Sequence, residues 1–272
     1  MFSNRLHMVY CVMLSPLEFS IELVRHAGDL LSEFFVPFGI AATEKSDHSL
    51  VTQADLAADR LISDTIRSQY PEDLILSEES NTRSGNLERP TWIIDPLDGT
   101  TNFSLGLPIW GVSIARIVDS LPQTGVAYFP MVNELYTAEA GQGAALNEIR
   151  LNAGPRLHEH KSFFSCCTRT IRHYKVDLPY KTRILGSAAY GICSVARQAA
   201  IMGMEMTPKI WDLAAVWLII QEAGCEISVL EGDSPFPLES DFEYQQKSFP
   251  TIAARDEKSL SRLRQAVAEK PR

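Results

Sequence analysis

Three groups of acidic residues stand where a sheet protein presents polar groups to a ligand, at strand ends and helix starts. Glu78 and Glu79 follow the apolar run Leu74 to Leu76, and Asp95 and Asp98 follow Trp92 to Ile94. Asp212 sits early in a helical stretch that continues through Ala214, Ala215 and Leu218. In the segment Trp92-Ile-Ile-Asp-Pro-Leu-Asp-Gly-Thr-Thr-Asn-Phe103, Pro96 fixes a turn and Gly99 permits a close backbone approach. Two aspartates three residues apart on such a turn can aim at one point. Carboxylates that converge unshielded repel one another, and the outcome is a raised pKa or a bound cation. Candidate ligands that are all hard oxygens, with no Cys or His, select Mg²⁺ or Mn²⁺ over zinc. The N–H groups of Gly99, Thr100 and Thr101, where they open a helix, add donors for an anion. Acids, a hard cation and a helix N-terminus together describe a phosphate site. Each piece alone is commonplace, since a Glu-Glu pair is usually solvated and an Asp in a turn usually caps its own backbone. The combination carries the argument.

Composition narrows the alternatives. The 272 residues include 25 Lys or Arg against 34 Asp or Glu, a formal net charge of −9, which argues against a nucleic-acid polymer as partner. A hydrophobic fraction of 45% and a charged fraction of 22% suit a globular protein with a large core. The cysteines, Cys11, Cys166, Cys167, Cys193 and Cys225, are odd in number and show no C-x-x-C spacing. They read as buried thiols of a reducing, cytoplasmic compartment and not as a zinc site. His158-Glu-His160 lacks the i, i+4 spacing of a helical metal motif, and Gly141-Gln-Gly143 lacks the third glycine of a dinucleotide loop. No G-x-x-x-x-G-K-[ST] string occurs, so a P-loop is excluded. The run Met8 to Leu14 is too short to span a bilayer and has no small-residue cleavage site, and no other segment could cross a membrane. Residues 1–14 read as a disordered extension or as the result of a start codon placed too early, with Met8 or Met13 as alternatives.

The elements that must position the acids are legible in the same way. Ser15 as cap, Pro16 and Glu18 open a helix whose apolar stripe, Leu17, Ile21, Val24, Leu31 and Phe35, runs until Pro37 and Gly39. A second helix runs from Thr52, with Asp55 three residues on, to about Ser68. Strands follow at Leu74 to Leu76, Trp92 to Ile94, Val112 to Ile117, Val126 to Phe129, Leu135 to Ala138 and Ser162 to Cys167. The rest alternates: a strand Arg183 to Leu185, a helix from about Ser187 to Met202, a strand near Glu205, a helix from about Ile210 to Glu222 and a strand Glu226 to Val229. Glu231 to Phe249 reads as surface loop, followed by a strand Thr251 to Ala254 and a helix from about Glu257 to Glu269. Two intimately packed halves, approximately 15–155 and 156–272, are expected to share one body, with Trp92 and Trp211 packing beside the ligands.

Asp95-Pro-Leu-Asp-Gly-Thr-Thr-Asn-Phe103, with Ser77-Glu-Glu-Ser80 upstream and Trp211-Asp-Leu-Ala-Ala215 downstream, resembles the inositol monophosphatase family. The match also takes in Leu50-Val-Thr-Gln-Ala-Asp55, Glu134-Leu-Tyr-Thr-Ala138, Gly186-Ser-Ala-Ala189 and Glu222-Ala-Gly224, and so covers nearly all the chain from Ser15 onward. The resemblance implies a layered αβαβα fold and lithium-sensitive hydrolysis of a phosphate monoester that depends on two or three Mg²⁺ ions. Carried over residue by residue, it makes Glu78, Asp95, Asp98, Asp212 and the backbone carbonyl of Leu97 the metal ligands. It pairs Thr100 with Asp55 to orient and deprotonate the attacking water, with Glu78 helping through a metal. Substrate contacts would come from Asp98, Gly99, Thr100, Asp212, Ala188 and Glu205, with Lys45 near the phosphate or a metal-held water. Inositol monophosphate is the leading substrate; fructose 1,6-bisphosphate, histidinol phosphate and 3′-phosphoadenosine nucleotides are handled by similar proteins. A catalytically idle relative that binds a phosphorylated ligand or a partner protein is the different class of answer. Thr207-Pro-Lys-Ile210 departs from the commoner family pattern, and the charge of Lys209 beside the pocket favours a second anionic group on the substrate. Family members are often homodimers, which makes a homodimer the expectation, although no residue here marks an interface.

Overall fold

Ser15 caps the first helix as the sequence predicts: its hydroxyl accepts the Glu18 N–H at 3.2 Å, and the Glu18 carboxylate accepts the Ser15 N–H at 2.8 Å. The resulting helix α1 (Pro16–Phe34) is followed by a two-stranded antiparallel ribbon, β1 (Thr43–Glu44) with β2 (Leu50–Val51), and by α2 (Gln53–Gln69). The computed structural model describes residues 14–36, 43–44, 50–79, 88–154 and 162–270. Lys45, the terminators Pro37 and Gly39, Ser80, the His158 to His160 tract, and residues 1–13 of the expected extension lie outside the described residues.

A seven-stranded sheet comprises β3 (Leu74–Ser77), β4 (Thr91–Asp98), β5 (Gly111–Val118), β6 (Leu121–Phe129), β7 (Glu134–Glu139), β8 (Gly143–Leu146) and β9 (Ile149–Arg150), in that spatial order. Strand β3 runs parallel to β4, and the other neighbours are antiparallel. A one-turn helix, α3 (Thr100–Ser104), leaves the end of β4. Side chains along β4 alternate between two cores, as a period of two requires. Trp92 and Ile94 join Leu23, Val24, Ile62 and Ile66 under α1 and α2, whereas Ile93 faces the opposite way.

On that opposite face lie α5 (Ala188–Ala196) and α6 (Ile210–Glu222), which come after β10 (Phe163–Cys166), α4 (Thr168–His173), β11 (Tyr174–Val176) and β12 (Lys181–Arg183). Helix α6 is buried all round from Leu213 to Ile220, because it is enclosed between two sheets. Each of its Leu, Val and Ile side chains contributes on the order of 1.5–3 kcal/mol. The second sheet has the order β12-β10-β13-β15-β14, where β13 is Ala200–Glu205, β14 Glu226–Val229 and β15 Thr251–Ala254. Its outer face packs Phe164, Met202, Met204 and Ile252 against Leu260 and Leu263 of α7 (Glu257–Ala266). The layers therefore read αβαβα. Among the described residues no helix is long and apolar enough to cross a membrane, and Cys166, Cys167, Cys193 and Cys225 are free thiols.

Four differences from the sequence-based expectation stand out. The helix expected from Ser187 to Met202 ends at Ala196; Gln198 turns back with φ +59°, and Ala200–Glu205 becomes a buried strand. The strand expected at Arg183 to Leu185 lies two residues earlier, at Lys181–Arg183. Helix α7 stops at Ala266 because β16 (Val267–Glu269) pairs antiparallel with β11. Helix α4 and the β8–β9 hairpin carried no signal strong enough to predict.

Candidate active site

Strand β4 delivers two acids through an irregularity. Its register with β5 shifts between Asp95 and Asp98, where Pro96 has no N–H to give to a ladder. Asp95 is buried, and its Oδ1 accepts the Leu97 N–H at 3.1 Å. Asp98 reaches across to the start of α5, where Ser187 donates its hydroxyl to Oδ2 and the Ala188 N–H donates to Oδ1 at 3.0 Å. Asp212, the third residue of α6, accepts the N–H of the cap residue Lys209 at 2.5 Å. Carboxylate oxygens of Asp95, Asp98 and Asp212 all lie within 4.8 Å of one another. Glu78 lines the same cavity of about 740 Å³ and repels Asp95 and Asp212, but stands outside that tight group. Its N–H donates to the Ile94 carbonyl at 3.2 Å, and the preceding Ser77 hydroxyl donates to Asp59 of α2.

Burial is the main electrostatic cost here. It pushes the Asp95 and Asp212 carboxyls well above the usual range, reinforced by repulsion within the group. It raises Asp98 to about 6, against the hydrogen bonds from Ser187 and from the first N–H groups of α5. Asp95 Oδ2 is buried with no hydrogen-bond partner among the described residues. An orphaned carboxylate oxygen among like charges fits a hard divalent cation, which would supply the missing partner and cancel the repulsion. The Leu97 carbonyl accepts the Thr100 hydroxyl at 3.0 Å, and its second lone pair leaves it able to serve a cation as well.

Thr100 and Asp55 meet as the resemblance implied, with Thr100 Oγ1 3.1 Å from Asp55 Oδ1. The capping box of α2 holds the other carboxylate oxygen: Asp55 Oδ2 accepts the Thr52 N–H at 2.7 Å and the Thr52 hydroxyl at 2.5 Å. Burial raises the Asp55 pKa, opposed first by the Thr52 hydrogen bonds. Thr100 lines the cavity together with Gly99, whose φ of +89° and approach to Ile109 leave no room for a side chain.

Ala188 and Glu205 line a neighbouring cavity of about 380 Å³. Glu205 is the last residue of β13, and burial, followed by the adjacent Cys167 thiol, pushes its carboxyl well upward. Three positioning residues escaped the sequence reading. Ser187 precedes an apolar helical run, a cap signal in plain view. Asn102 donates to the carbonyls of Ile109 at 2.7 Å and Leu185 at 2.8 Å, tying α3 to the approach to α5, and only the fold reveals it. Asp59 lies one helical turn after Asp55 and anchors the end of β3.

A profile of the inositol monophosphatase family matches residues 13–268. The Nus factor SuhB of Haemophilus influenzae is 36% identical over 220 residues, 76% of this chain and 82% of the relative. That of Escherichia coli K12 is 33% identical over 238 residues, 82% of this chain and 88% of the relative. Among solved structures, the IMPase of Thermotoga maritima superposes with a TM-score of 0.76 at 28% identity, covering 92% of this chain and 97% of that one. With the five-layer fold, the acidic triad and these likenesses in agreement, the chain belongs to the inositol monophosphatase family.

Proposed function

We propose that the chain hydrolyses a small phosphate monoester, with inositol monophosphate as the leading substrate, using Mg²⁺ held by Asp95, Asp98, Asp212 and Glu78. The unpartnered, buried Oδ2 of Asp95 inside a group of acids that opens on a cavity carries this reading. When bound, Mg²⁺ neutralises the carboxylates, polarises phosphoryl oxygens and lowers the pKa of water. The remaining work falls to the chain. The Thr100 hydroxyl has one proton and two acceptors within reach, Asp55 Oδ1 and the Leu97 carbonyl. Donating to Asp55 turns its own lone pairs toward the cavity, where they accept a proton from water. Asp55, fixed by Thr52 and made more basic by burial, receives the proton that Thr100 gives up. Glu78, on the same cavity, is the second group that can orient that water. Glu205 and Ala188 face the organic part of the substrate in the adjoining cavity, where a carboxyl group suits sugar or polyol hydroxyls.

The test is phosphate release at millimolar Mg²⁺ from inositol monophosphate, fructose 1,6-bisphosphate, histidinol phosphate and a 3′-phosphoadenosine nucleotide. Release from at least one supports the chemistry, and the ranking assigns the substrate. The relatives carry the name Nus factor SuhB, which names no phosphatase activity and leaves open a second reading, a non-catalytic relative that binds a phosphorylated ligand or a protein partner. Silence on all four substrates would replace the first reading with the second.

A further inference from the structure

We propose that Cys167 is a specificity-determining residue: beside Glu205 it receives the sugar or polyol ring of the substrate, and its thiol is covered when that ring is bound. The inference rests on the phosphatase reading and deepens it at the cavity next to the acidic triad. Register brings the two side chains together. Strands β10 and β13 run parallel, with Ser165 opposite Gly203 and Cys166 opposite Met204. Cys166 and Met204 point into the outer core under α7, so the next pair, Cys167 and Glu205, points to the other face. The Cys167 N–H donates to the Met204 carbonyl at 3.3 Å and continues the ladder past the end of β10. Both side chains line the cavity of about 380 Å³ that contains Ala188.

The Glu205 carboxyl is incomplete without a ligand. It is 7% exposed, and among the described residues its hydrogen-bond partner is the Cys167 thiol alone. A thiol has a single proton and serves a single oxygen, so the other carboxyl oxygen opens on the cavity with no protein partner. Buried polar groups are rarely left in that state, and a donating hydroxyl of the substrate would complete this one.

Cys167 differs from the other described thiols. Cys166, Cys193 and Cys225 are buried, whereas Cys167 is half-buried at the cavity wall. Its Sγ accepts the Met206 N–H at 3.4 Å and lies 3.4 Å from Thr170 Oγ1, which fixes its direction. Burial raises the thiol pKa, but the contacts with Thr170 and Met206 outweigh it and hold the group below its ordinary value, which favours reaction with electrophiles. As a substrate surface, a thiol is small, polarisable and weakly hydrogen-bonding, and it stands next to a strong acceptor. A ring that gives a hydroxyl to Glu205 therefore turns a C–H face to Cys167. Arg169 and Thr207 line both this cavity and that of the triad, so an ester phosphate at the triad leaves its organic part within reach of the pair.

Alkylation by iodoacetamide tests this on the intact chain, with Ca²⁺ in place of Mg²⁺ to slow turnover and the labelled cysteine identified by peptide mass. The thiolate displaces iodide and gains a carboxamidomethyl group, and Cys167 should react ahead of Cys166, Cys193 and Cys225. The ring substrates are inositol monophosphate, fructose 1,6-bisphosphate and adenosine 3′,5′-bisphosphate. The best-bound of them, at about ten times its Kd, should slow labelling of Cys167 about tenfold. Ethyl phosphate, which offers a phosphate without a ring, should slow it less than about twofold at the same occupancy. Cys167→Leu, which fills part of the cavity, should raise KM for the same ring substrate about tenfold or more and change kcat less, and Cys167→Ser should recover part of that loss. Labelling that no ring substrate slows, equal protection by ethyl phosphate, or an unmoved KM in Cys167→Leu overturns the proposal. Protection by a ring substrate with no phosphate release from any of them overturns the phosphatase reading and leaves the subsite standing.

Discussion

Removing divalent cations and raising the pH from 5 to 7.5 should destabilise the protein, because the acids at the triad ionise only at a cost inside the fold. Asp98 sets the scale: burial places its pKa at about 6, against an ordinary 3.8. A carboxyl whose folded pKa lies above its unfolded one contributes its stability fully below the unfolded value. That contribution is lost as the pH rises through the folded value. The gap between 3.8 and about 6, at about 1.4 kcal/mol per pH unit, is a total loss of about 3 kcal/mol. Roughly 1.4 kcal/mol of it falls between pH 5 and 7.5. Asp95, Asp212 and Glu205, also pushed up by burial and by neighbouring charge, add in the same direction. Mg²⁺ held at the triad would neutralise it, and at low pH protons would compete for the same oxygens. The rise in Tm on replacing EDTA by millimolar Mg²⁺ should therefore grow with pH, by about 3 °C from Asp98 alone at about 2 °C per kcal/mol. Paired thermal melts at the two pH values measure it. An increment that is equal at both, or larger at pH 5, would refute the claim that raised carboxyls are what the cation neutralises.

Asp95→Asn should lower phosphate release about a thousandfold or more and erase the Mg²⁺ increment in Tm, while the metal-free protein melts at or above wild type, because a buried repelled charge is gone. Near-normal turnover would sink the ligand assignment. Thr100→Val keeps the volume and loses the hydroxyl that bonds Asp55; kcat should fall about 10²–10⁴-fold with Mg²⁺ affinity by calorimetry unchanged. Ser187→Ala removes the α5 cap and a donor to Asp98, at about 1 kcal/mol of stability. Because that bond holds the Asp98 pKa down, the acid limb of the kcat–pH profile should move to higher pH, and an unmoved limb would show that Asp98 does not govern it.

What the sequence made legible was local. The boxes at Ser15–Glu18 and Thr52–Asp55 need only a cap residue and an acid three positions on, and both form. The period of two in β4 assigns Trp92 and Ile94 to one core and Ile93 to the other. The period fails where burial is complete. From Ala189 to Met204 nearly every residue is apolar and enclosed, so neither helical nor strand periodicity marks the point where α5 gives way to β13. Long-range pairing was the other blind spot. Strands β11 and β16 are short and half-exposed, and only their partnership, which brings Lys270 to Ile171 across 99 positions, makes them strands at all. Of the basic residues that line the cavity, only Lys209, three positions before Asp212, was legible; Arg169, His173 and Lys270 were invisible for the same reason, whereas the acids were found because each follows its own strand or opens its own helix.

That placement of the acids also shows why capping alone leaves the site unfinished. Asp55 and Asp212 each give an oxygen to the N–H of their own helix cap, and Asp98 gives both to the start of α5. Three helix N-termini thus face the site, and each contributes about 0.3–1 kcal/mol to a nearby carboxylate, up to about 2 kcal/mol where buried. The pKa of about 6 at Asp98 already includes its share of that help, and about 3 kcal/mol of cost remains. Asp95 has less: one backbone donor, an orphaned oxygen and three acids acting on it. The helices can orient these carboxylates but cannot neutralise them. The apolar enclosure of α6 between two sheets keeps Asp212 in place regardless, so the fold holds the charges together without cancelling them. The repulsion left over is what a divalent cation would remove, which makes cation affinity and metal-free instability two measures of one quantity.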